Sequence, residues 1–201
     1  IIGSPLSTLM EYPISLPRIR DELEAGRREI TMDSAWNGPD NQQLCLRYTF
    51  SAMNNQGKRP ADLILVVEDV SEEQTRVAEL TYEATHDALT GLINRRDFKR
   101  RLNMVLDSCR TDNSRHVLCF VDLDYFKEVN DSAGHAAGDQ CLVQLCQILR
   151  MQLREGDILA RLGGDEFALI LNACPMEAAQ RIAEQIRRNV AAFVFNWNDE
   201  A

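Results

Sequence analysis

Asp122 and Asp124 stand two residues apart where the apolar run His116 to Val121 ends. If strand geometry persists there, both side chains point to one face and their like charges require a counter-ion. A hard divalent cation such as Mg2+ takes oxygen ligands, often one or two carboxylates completed by substrate phosphates, so the pair is a candidate metal site. The structural alternative is that Asp ends strands because it starts turns. A second acidic pair, Asp165 and Glu166, follows Gly163-Gly164, two glycines that let a bulky ligand approach the backbone closely. The same four residues also read as a solvated β-turn, and only the apolar strands on both sides argue for a fixed, central hairpin. Between the pairs lies Lys127, able to neutralise a developing phosphate charge, at the start of a short helix whose free N–H groups could bind phosphate oxygens. Asn130 and Asp139 could read a guanine edge, although Asn130-Asp131-Ser132 and Gly138-Asp139 read equally as a turn and a helix cap. His135 by itself is a loop histidine.

These groups need strands and helices to hold them. Turn formers and apolar residues mix in His86-Asp87-Ala88-Leu89-Thr90-Gly91-Leu92, ahead of a basic helix from Arg95 to Cys109. His116 to Val121 (HVLCFV) is a continuous apolar run, the form of a central strand delivering carboxylates to its C-terminal edge, where sites tend to sit. A long helix from about Ala137 puts Leu142, Leu145, Leu149 and Leu153 on one face. Asp157 to Leu162 and Glu166 to Leu171 form strands around Gly163-Gly164. A last helix opens near Pro175 and turns Ala179, Ile182, Ile186 and Val190 inward. The order helix, strand, helix, hairpin, helix makes an α/β sandwich, helices packed on a sheet that contains antiparallel strands.

Upstream, Leu44, Leu46, Tyr48 and Phe50 alternate with Cys45, Arg47 and Thr49, a half-buried strand within Gln43 to Met53. Asn54-Asn55-Gln56-Gly57-Lys58 supplies a turn, and Asp62 to Val70 (DLILVVEDV) suits a central strand. Ser71 then caps a helix, Gln74 completes a capping box, and Val77, Leu80 and Ala84 form a narrow stripe. That stripe fits a short coiled coil between domains or, equally, an amphipathic helix lying on its own domain.

Charge limits the partners. Lys and Arg total 22 against 31 Asp and Glu, a net charge of -9 that repels phosphate backbones and excludes the basic stripe of a nucleic-acid binder. Phosphate ligands must then be held locally, by a metal ion, backbone N–H groups or a well-placed Lys. The six cysteines form no C-x-x-C pair and read as reduced core residues. No apolar run is long enough for a membrane span, so a cytoplasmic location is expected, with an inner-membrane anchor in a parent chain left open. The start at Ile1-Ile2-Gly3 and the stop at Asp199-Glu200-Ala201 after an apolar stretch read as those of a fragment.

Several motifs in one register carry a family resemblance. Asp122-Leu-Asp-Tyr-Phe-Lys-Glu-Val-Asn-Asp131, Gly134-His135-x-x-Gly138-Asp139 and Arg161-Leu-Gly-Gly-Asp-Glu-Phe167 closely resemble the GGDEF family of diguanylate cyclases. Asp87-x-Leu-Thr-Gly-Leu-x-Asn-Arg-Arg96 resembles that family's opening wide turn, so the likeness runs from about Glu83 to Ala201. It implies an α/β (α+β) fold, a nucleotide-cyclase or palm-like sheet flanked by helices, whose final strand and helix lie beyond this chain. It also implies condensation of two GTP into cyclic di-GMP and pyrophosphate in a face-to-face homodimer, with Mg2+ (or Mn2+) as cofactor.

On matching positions, the resemblance makes Asp122 and Asp165 metal ligands together with the Leu123 backbone carbonyl. Glu166 would assist in coordination, Asp165 would serve as general base to the attacking 3′-hydroxyl, and Lys127 would stabilise the transition state. Phe126, Asn130, His135 and Asp139 would contact the guanine nucleotide. Arg154-Glu-Gly-Asp157 resembles the family's Arg-x-x-Asp inhibitory site, in which Arg154 and Asp157 would bind the product; read without the family it is a helix end with a turn. The basic residues that hold GTP phosphates are expected beyond Ala201, so this stretch alone is expected to bind GTP poorly.

Residues 1–70 resemble the C-terminal half of a PAS sensor domain, whose closing D-x-T appears here as Asp69-Val-Ser71. The expected organisation is a partial PAS-like unit over 1–70, a signalling helix over 71–85 and a GGDEF domain over 86–201. A phosphodiesterase domain often follows in such proteins. The rival readings are a non-catalytic receptor for GTP or cyclic di-GMP, and a purely sensory and dimerising module.

Overall fold

The computed structural model describes residues 16–37, 42–52, 63–112 and 114–197. The turn expected at 54–58 and the last residues of the chain lie outside the described residues. The chain divides into two compact units, Ile1–Glu79 and Leu80–Ala201.

In the first unit, helix α1 (Leu16–Glu24) packs on an antiparallel sheet of β1 (Glu29–Asn37), β2 (Gln43–Ala52) and β3 (Leu63–Asp69), in the order β1-β2-β3. The alternation in β2 turns Tyr48 and Phe50 into the core against Ile19 and Leu23 of α1, as its sequence pattern predicts. Sequence patterning misses α1 and β1. In β1 the small residues Ser34 and Ala35 fall on the inner and outer faces respectively, which blurs the period. β3 is not the central strand its apolar run predicts: among the described residues it pairs with β2 alone, and Ile64, Val66 and Val67 stay exposed. A run of apolar residues records hydrophobicity but not which edge is covered.

Helix α2 (Ser71–Thr85) starts where expected but is capped differently. The Asp69 carboxylate accepts from the Ser71 N–H at 3.0 Å and from its hydroxyl at 2.6 Å, while Ser71 Oγ accepts from the Cys45 N–H at 2.8 Å. Gln74 donates its N–H to the Val70 carbonyl and its side-chain amide to Asp33, so no capping box forms. No residue of α2 is buried and Leu80 remains exposed, which counts against an amphipathic helix seated on its own domain.

The second unit is an α+β sandwich. Its sheet runs in the order β4-β6-β7-β5, from β4 (Ile93–Asn94), β5 (Val117–Asp122), β6 (Ile158–Gly163) and β7 (Glu166–Leu171); β4 is parallel to β6, and the other pairs are antiparallel. One face is covered by α3 (Arg95–Asp112), whose Phe98, Leu102 and Val105 recur at helical spacing and pack on Ile158, Ala160, Ala168 and Ile170. The other face holds the larger core, in which Leu142, Leu145 and Leu149 of α5 (His135–Arg150) and Ile186 of α6 (Met176–Ala191) meet Leu159, Phe167 and Leu169. A short helix, α4 (Phe126–Ala133), joins β5 to α5.

Two expectations change here. α5 begins at His135 rather than near Ala137. β5 is an edge strand among the described residues, not a central one, and its alternate residues Leu118 and Phe120 are exposed. All six cysteines are free, but only Cys141, Cys146 and Cys174 are buried core residues, while Cys45, Cys109 and Cys119 are half-buried; burial pushes the Cys146 thiol up to about 11. Among the described residues, no helix is long and apolar enough to cross a membrane.

Candidate functional site

Asp122, the last residue of β5, lies directly opposite Glu166, the first of β7. Directly opposed side chains of an antiparallel pair share a face, with Cβ atoms about 5 Å apart. By alternation this is the face on which Phe120 opposes Ala168 and Leu118 opposes Ile170, the side covered by α3. Gly163 pairs with Glu166, which leaves Gly164 and Asp165 to make the turn between β6 and β7. Gly163 and Gly164 take φ of 143° and 54°, a region that suits residues without a Cβ. Asp165 is half-buried at the tip, and Glu166 is exposed.

Strand geometry stops at Asp122. Leu123 leaves the sheet to bury its side chain in the main core, and Asp124 and Tyr125 form a turn, with Tyr125 held in the left-handed region at φ 62°. Asp124 therefore does not share a face with Asp122 by alternation, contrary to the D-x-D expectation. Among the described residues the Leu123 carbonyl meets only the Phe126 N–H, at 3.5 Å, a long contact that leaves a lone pair available.

Beyond the turn, Lys127 is exposed in the first turn of α4, while Phe126 packs against the core. Asn130 lies half-buried against Gly138 of α5, where a Cβ would fall on Asn130 Oδ1 and come within 3.3 Å of Phe126 Cζ. Gly138 is thus not part of a cap but an opening in a helix surface into which the Asn130 amide fits. His135 and Asp139 are exposed and four residues apart in α5, so they share one face. Gly138→Ala is expected to cost about 1–3 kcal/mol through over-packing, read as a lower Tm. In an Asn130→Ala background the same substitution should be neutral or stabilising, because Ala exceeds Gly in helix propensity by about 1 kcal/mol.

The side chains of Asp122, Asp165, Lys127, His135 and Asp139 make no hydrogen bond or ion pair among the described residues, whereas the Asp97 and Asp87 carboxylates are tightly held. Asp97, buried in α3, is paired with Arg100 and Arg101 at 2.7 Å each. Asp87 Oδ1 accepts from the Thr90 N–H, the Thr90 hydroxyl and Arg161 Nη1, at 2.9, 2.7 and 3.1 Å. Burial opposes ionisation of Asp87, but Thr90 and Arg161 outweigh it and hold the carboxyl below the usual range. Arg161 also donates Nε to the Gly164 carbonyl at 2.9 Å, so one guanidinium ties the turn at Asp87 to the turn that carries Asp165. Arg95 donates Nε to the Leu162 carbonyl at 2.8 Å and Nη2 to Glu166 at 3.1 Å.

Asp87, Arg95 and Arg161 fall within the family-like motifs, but their places there do not mark them as partners of the candidate site. The legible signal for Arg161 is a lone charge between Ala160 and Leu162 in an otherwise apolar strand.

Arg154 and Asp157 are brought together, but as a closed unit. Asp157 Oδ2 accepts from the Arg154 N–H at 3.1 Å and lies 3.5 Å from Arg154 Nε, while Oδ1 accepts from the Asn172 N–H at 3.0 Å. The Asp157 side chain is 1% exposed, against 65% for Arg154, so only the guanidinium faces outward.

A cavity of about 710 Å³ opens beside Asp122 and Asp124, yet most of its wall is apolar, including Val121, Leu145, Ile182, Ile186 and Phe193. It does not suit a triphosphate. Among the described residues no three His, Cys, Asp or Glu side chains converge as a ready metal cage. Mg2+ often takes only one or two carboxylates and leaves its other positions to phosphates and water, a set that Asp122, Asp165 and the Leu123 carbonyl could supply.

The four-stranded sheet flanked by helices, with carboxylates gathered at the β5–β7 edge, is the α+β GGDEF fold. The chain belongs to the family described as "Diguanylate cyclase, GGDEF domain", which it matches over residues 84–201. It is 48% identical over 200 residues to "Probable diguanylate cyclase DgcE" of Escherichia coli strain K12, covering 98% of this chain and 18% of that protein. It is 45% identical over 120 residues to "Diguanylate cyclase TpbB" of Pseudomonas aeruginosa, covering 59% of this chain and 28% of that protein. Among solved structures it resembles the isolated GGDEF domain of TpbB, with TM-score 0.55, 43% identity and coverage of 58% and 67% of the two chains. It also resembles the coiled coil and GGDEF domain of DgcB from Caulobacter crescentus in complex with c-di-GMP, with TM-score 0.61, 26% identity and coverage of 64% and 68%. The chain thus spans less than a third of the length of these two curated relatives.

Proposed function

We propose that this chain carries the catalytic unit of a diguanylate cyclase that joins two GTP into cyclic di-GMP and releases two pyrophosphates. The observation that carries the reading is the β5–β7 edge and its adjoining turn, where the Asp122 and Asp165 carboxylates have no partner among the described residues beside an open Leu123 carbonyl. In each of two steps, the 3′-oxygen of one GTP forms a bond to the α-phosphorus of the other while the bond to the bridging oxygen breaks and pyrophosphate leaves. Asp165 takes the hydroxyl proton, and Asp122, Asp165 and the Leu123 carbonyl would hold the cation with help from Glu166. Bound Mg2+ or Mn2+ would supply neutralisation of phosphate charge and alignment of the attack. Lys127 would balance the charge that builds on the leaving phosphate, while Phe126, Asn130, His135 and Asp139 would hold the nucleotide.

One site holds one GTP, so the reaction needs two copies face to face. The free cysteines fit a reducing compartment, and the cytoplasm is the proposed location. The test is cyclic di-GMP formation from GTP and Mg2+ by the longest natural chain that carries this sequence. No product, together with tight cyclic di-GMP binding, would identify a receptor instead.

The exposed Arg154 guanidinium is the proposed grip for product, with Asp157 holding it in place rather than meeting the ligand. Arg154→Ala is expected to raise the concentration of cyclic di-GMP needed for half-inhibition about tenfold or more, the loss of one charge-assisted phosphate or base contact. Uninhibited activity should stay within about twofold of wild type, since removal of an exposed side chain leaves most stability intact. Unchanged inhibition would remove Arg154 from the product site.

A further inference from the structure

Glu166 has a competitor for the cation. We propose that Arg95 is a positioning residue that occupies the Glu166 carboxylate when no divalent cation is bound and must yield it when one binds, so that Arg95 sets the metal affinity of the site. The inference rests on the cyclase reading above only in taking this edge as the cation site.

Three observations carry it. Asp122 and Glu166 oppose each other directly across β5 and β7, a like-charge pair that is unfavourable without a counter-charge. Arg95 supplies that charge through Nη2 at 3.1 Å from Glu166 Oε2, and its arm is pinned by Nε on the Leu162 carbonyl at 2.8 Å. No group of three metal-ligating side chains converges among the described residues while Arg95 holds Glu166, although Asp122 opposes Glu166 and Asp165 precedes it in the adjoining turn. Lys127, also near this edge in sequence, pairs with none of these carboxylates, and Arg161 is committed to Asp87 and the Gly164 carbonyl. A divalent cation bound beside Asp122 would repel the guanidinium, and Glu166 can fully serve only one of the two charges.

The pair is partly exposed, at 69% for Arg95 and 53% for Glu166, so its effect is moderate. Mn2+ titration of the chain, followed by loss of the free-ion electron paramagnetic resonance signal without nucleotide, reads it directly. Arg95→Ala is expected to tighten Mn2+ binding about two- to fivefold, as removal of an exposed ion pair allows. In an Glu166→Gln background the same substitution should change nothing, because the contested carboxylate is gone. A purely structural Arg95 would lower Tm without tightening metal binding.

Unchanged or weaker binding in Arg95→Ala, an equal gain in both backgrounds, or no Mn2+ uptake by either protein overturns the proposal. Cyclic di-GMP synthesis by the longer natural chain is scored separately. Synthesis without the affinity gain leaves the cyclase reading standing and removes this one; the gain without synthesis does the reverse.

Discussion

Asp165→Ala is expected to lower cyclic di-GMP synthesis by about three orders of magnitude or more while leaving the fold in place. Both halves of that result come from the same observation. The Asp165 carboxylate makes no hydrogen bond or ion pair among the described residues, so its removal strands no buried partner. It sits at the tip of a turn whose shape is held by Gly163, Gly164 and the Arg161 contact to the Gly164 carbonyl, none of which uses its side chain. On the proposed mechanism, what is lost is a cation ligand and the acceptor for the 3′-hydroxyl proton. General acid–base catalysis alone contributes about 10²–10⁴-fold, and loss of a metal ligand adds to that. Product formation from GTP and Mg2+, beside circular dichroism and a Tm within about 2 °C of wild type, the scale of a neutral surface change, checks both halves. Synthesis within about tenfold of wild type would remove Asp165 from the roles of ligand and base.

The second large effect is structural and catalytic at once. Arg161→Ala should destabilise the protein by about 2–3 kcal/mol, because it deprives a partly buried carboxylate of its cation and the Gly164 carbonyl of its donor. The Arg161 side chain is 12% exposed and Asp87 24%, so solvent replaces little of what is lost. In a unit of this size that corresponds to a fall in Tm of roughly 8–15 °C. Synthesis should fall with it, as the turn that presents Asp165 loses its tie to the Asp87 turn.

The pH dependence separates this mechanism from general damage. Asp87 is held below its ordinary value in the folded state, so its contribution is fully present above the unfolded carboxylate pKa, about 3.9, and is lost as pH falls through the lower folded value. The stability gap between wild type and Arg161→Ala should therefore be constant from about pH 5 upward and narrow below about pH 4. A gap that stays the same across that window would mean that the Asp87 pair is not its source.

Much of the second unit is legible in the chain because helical and strand periods are local. Leu142, Leu145 and Leu149 face the core as their spacing demands, and Ala179 and Ile186 do the same in α6. The glycines at 163 and 164 mark their turn because few other residues take those φ values. Caps and edges are less legible, since they depend on what lies across from them. Ser71 has the right residue type for a cap, but Asp69 reaches its N–H first and the hydroxyl turns to Asp69 while accepting from Cys45. The runs in β3 and β5 read as central strands, yet each pairs on one side alone among the described residues.

By itself the sequence determined the family, the order of most strands and helices of the second unit, and a short set of candidate carboxylates and basic groups, because residue type and spacing are written in one dimension. Only the tertiary structure decided which of those carboxylates are already taken. Among the described residues the carboxylates of Asp87, Asp97 and Asp157 are held by partners, whereas those of Asp122 and Asp165 are not, and Glu166 is shared with Arg95. The arginines of Asp97 and Asp157 are near neighbours in sequence, but the ties of Asp87 to Arg161, of Asp157 to Asn172 and of Glu166 to Arg95 cross turns and strands. The arginines that hold Asp87 and Glu166 lie more than seventy residues away, too far for any local pattern to record.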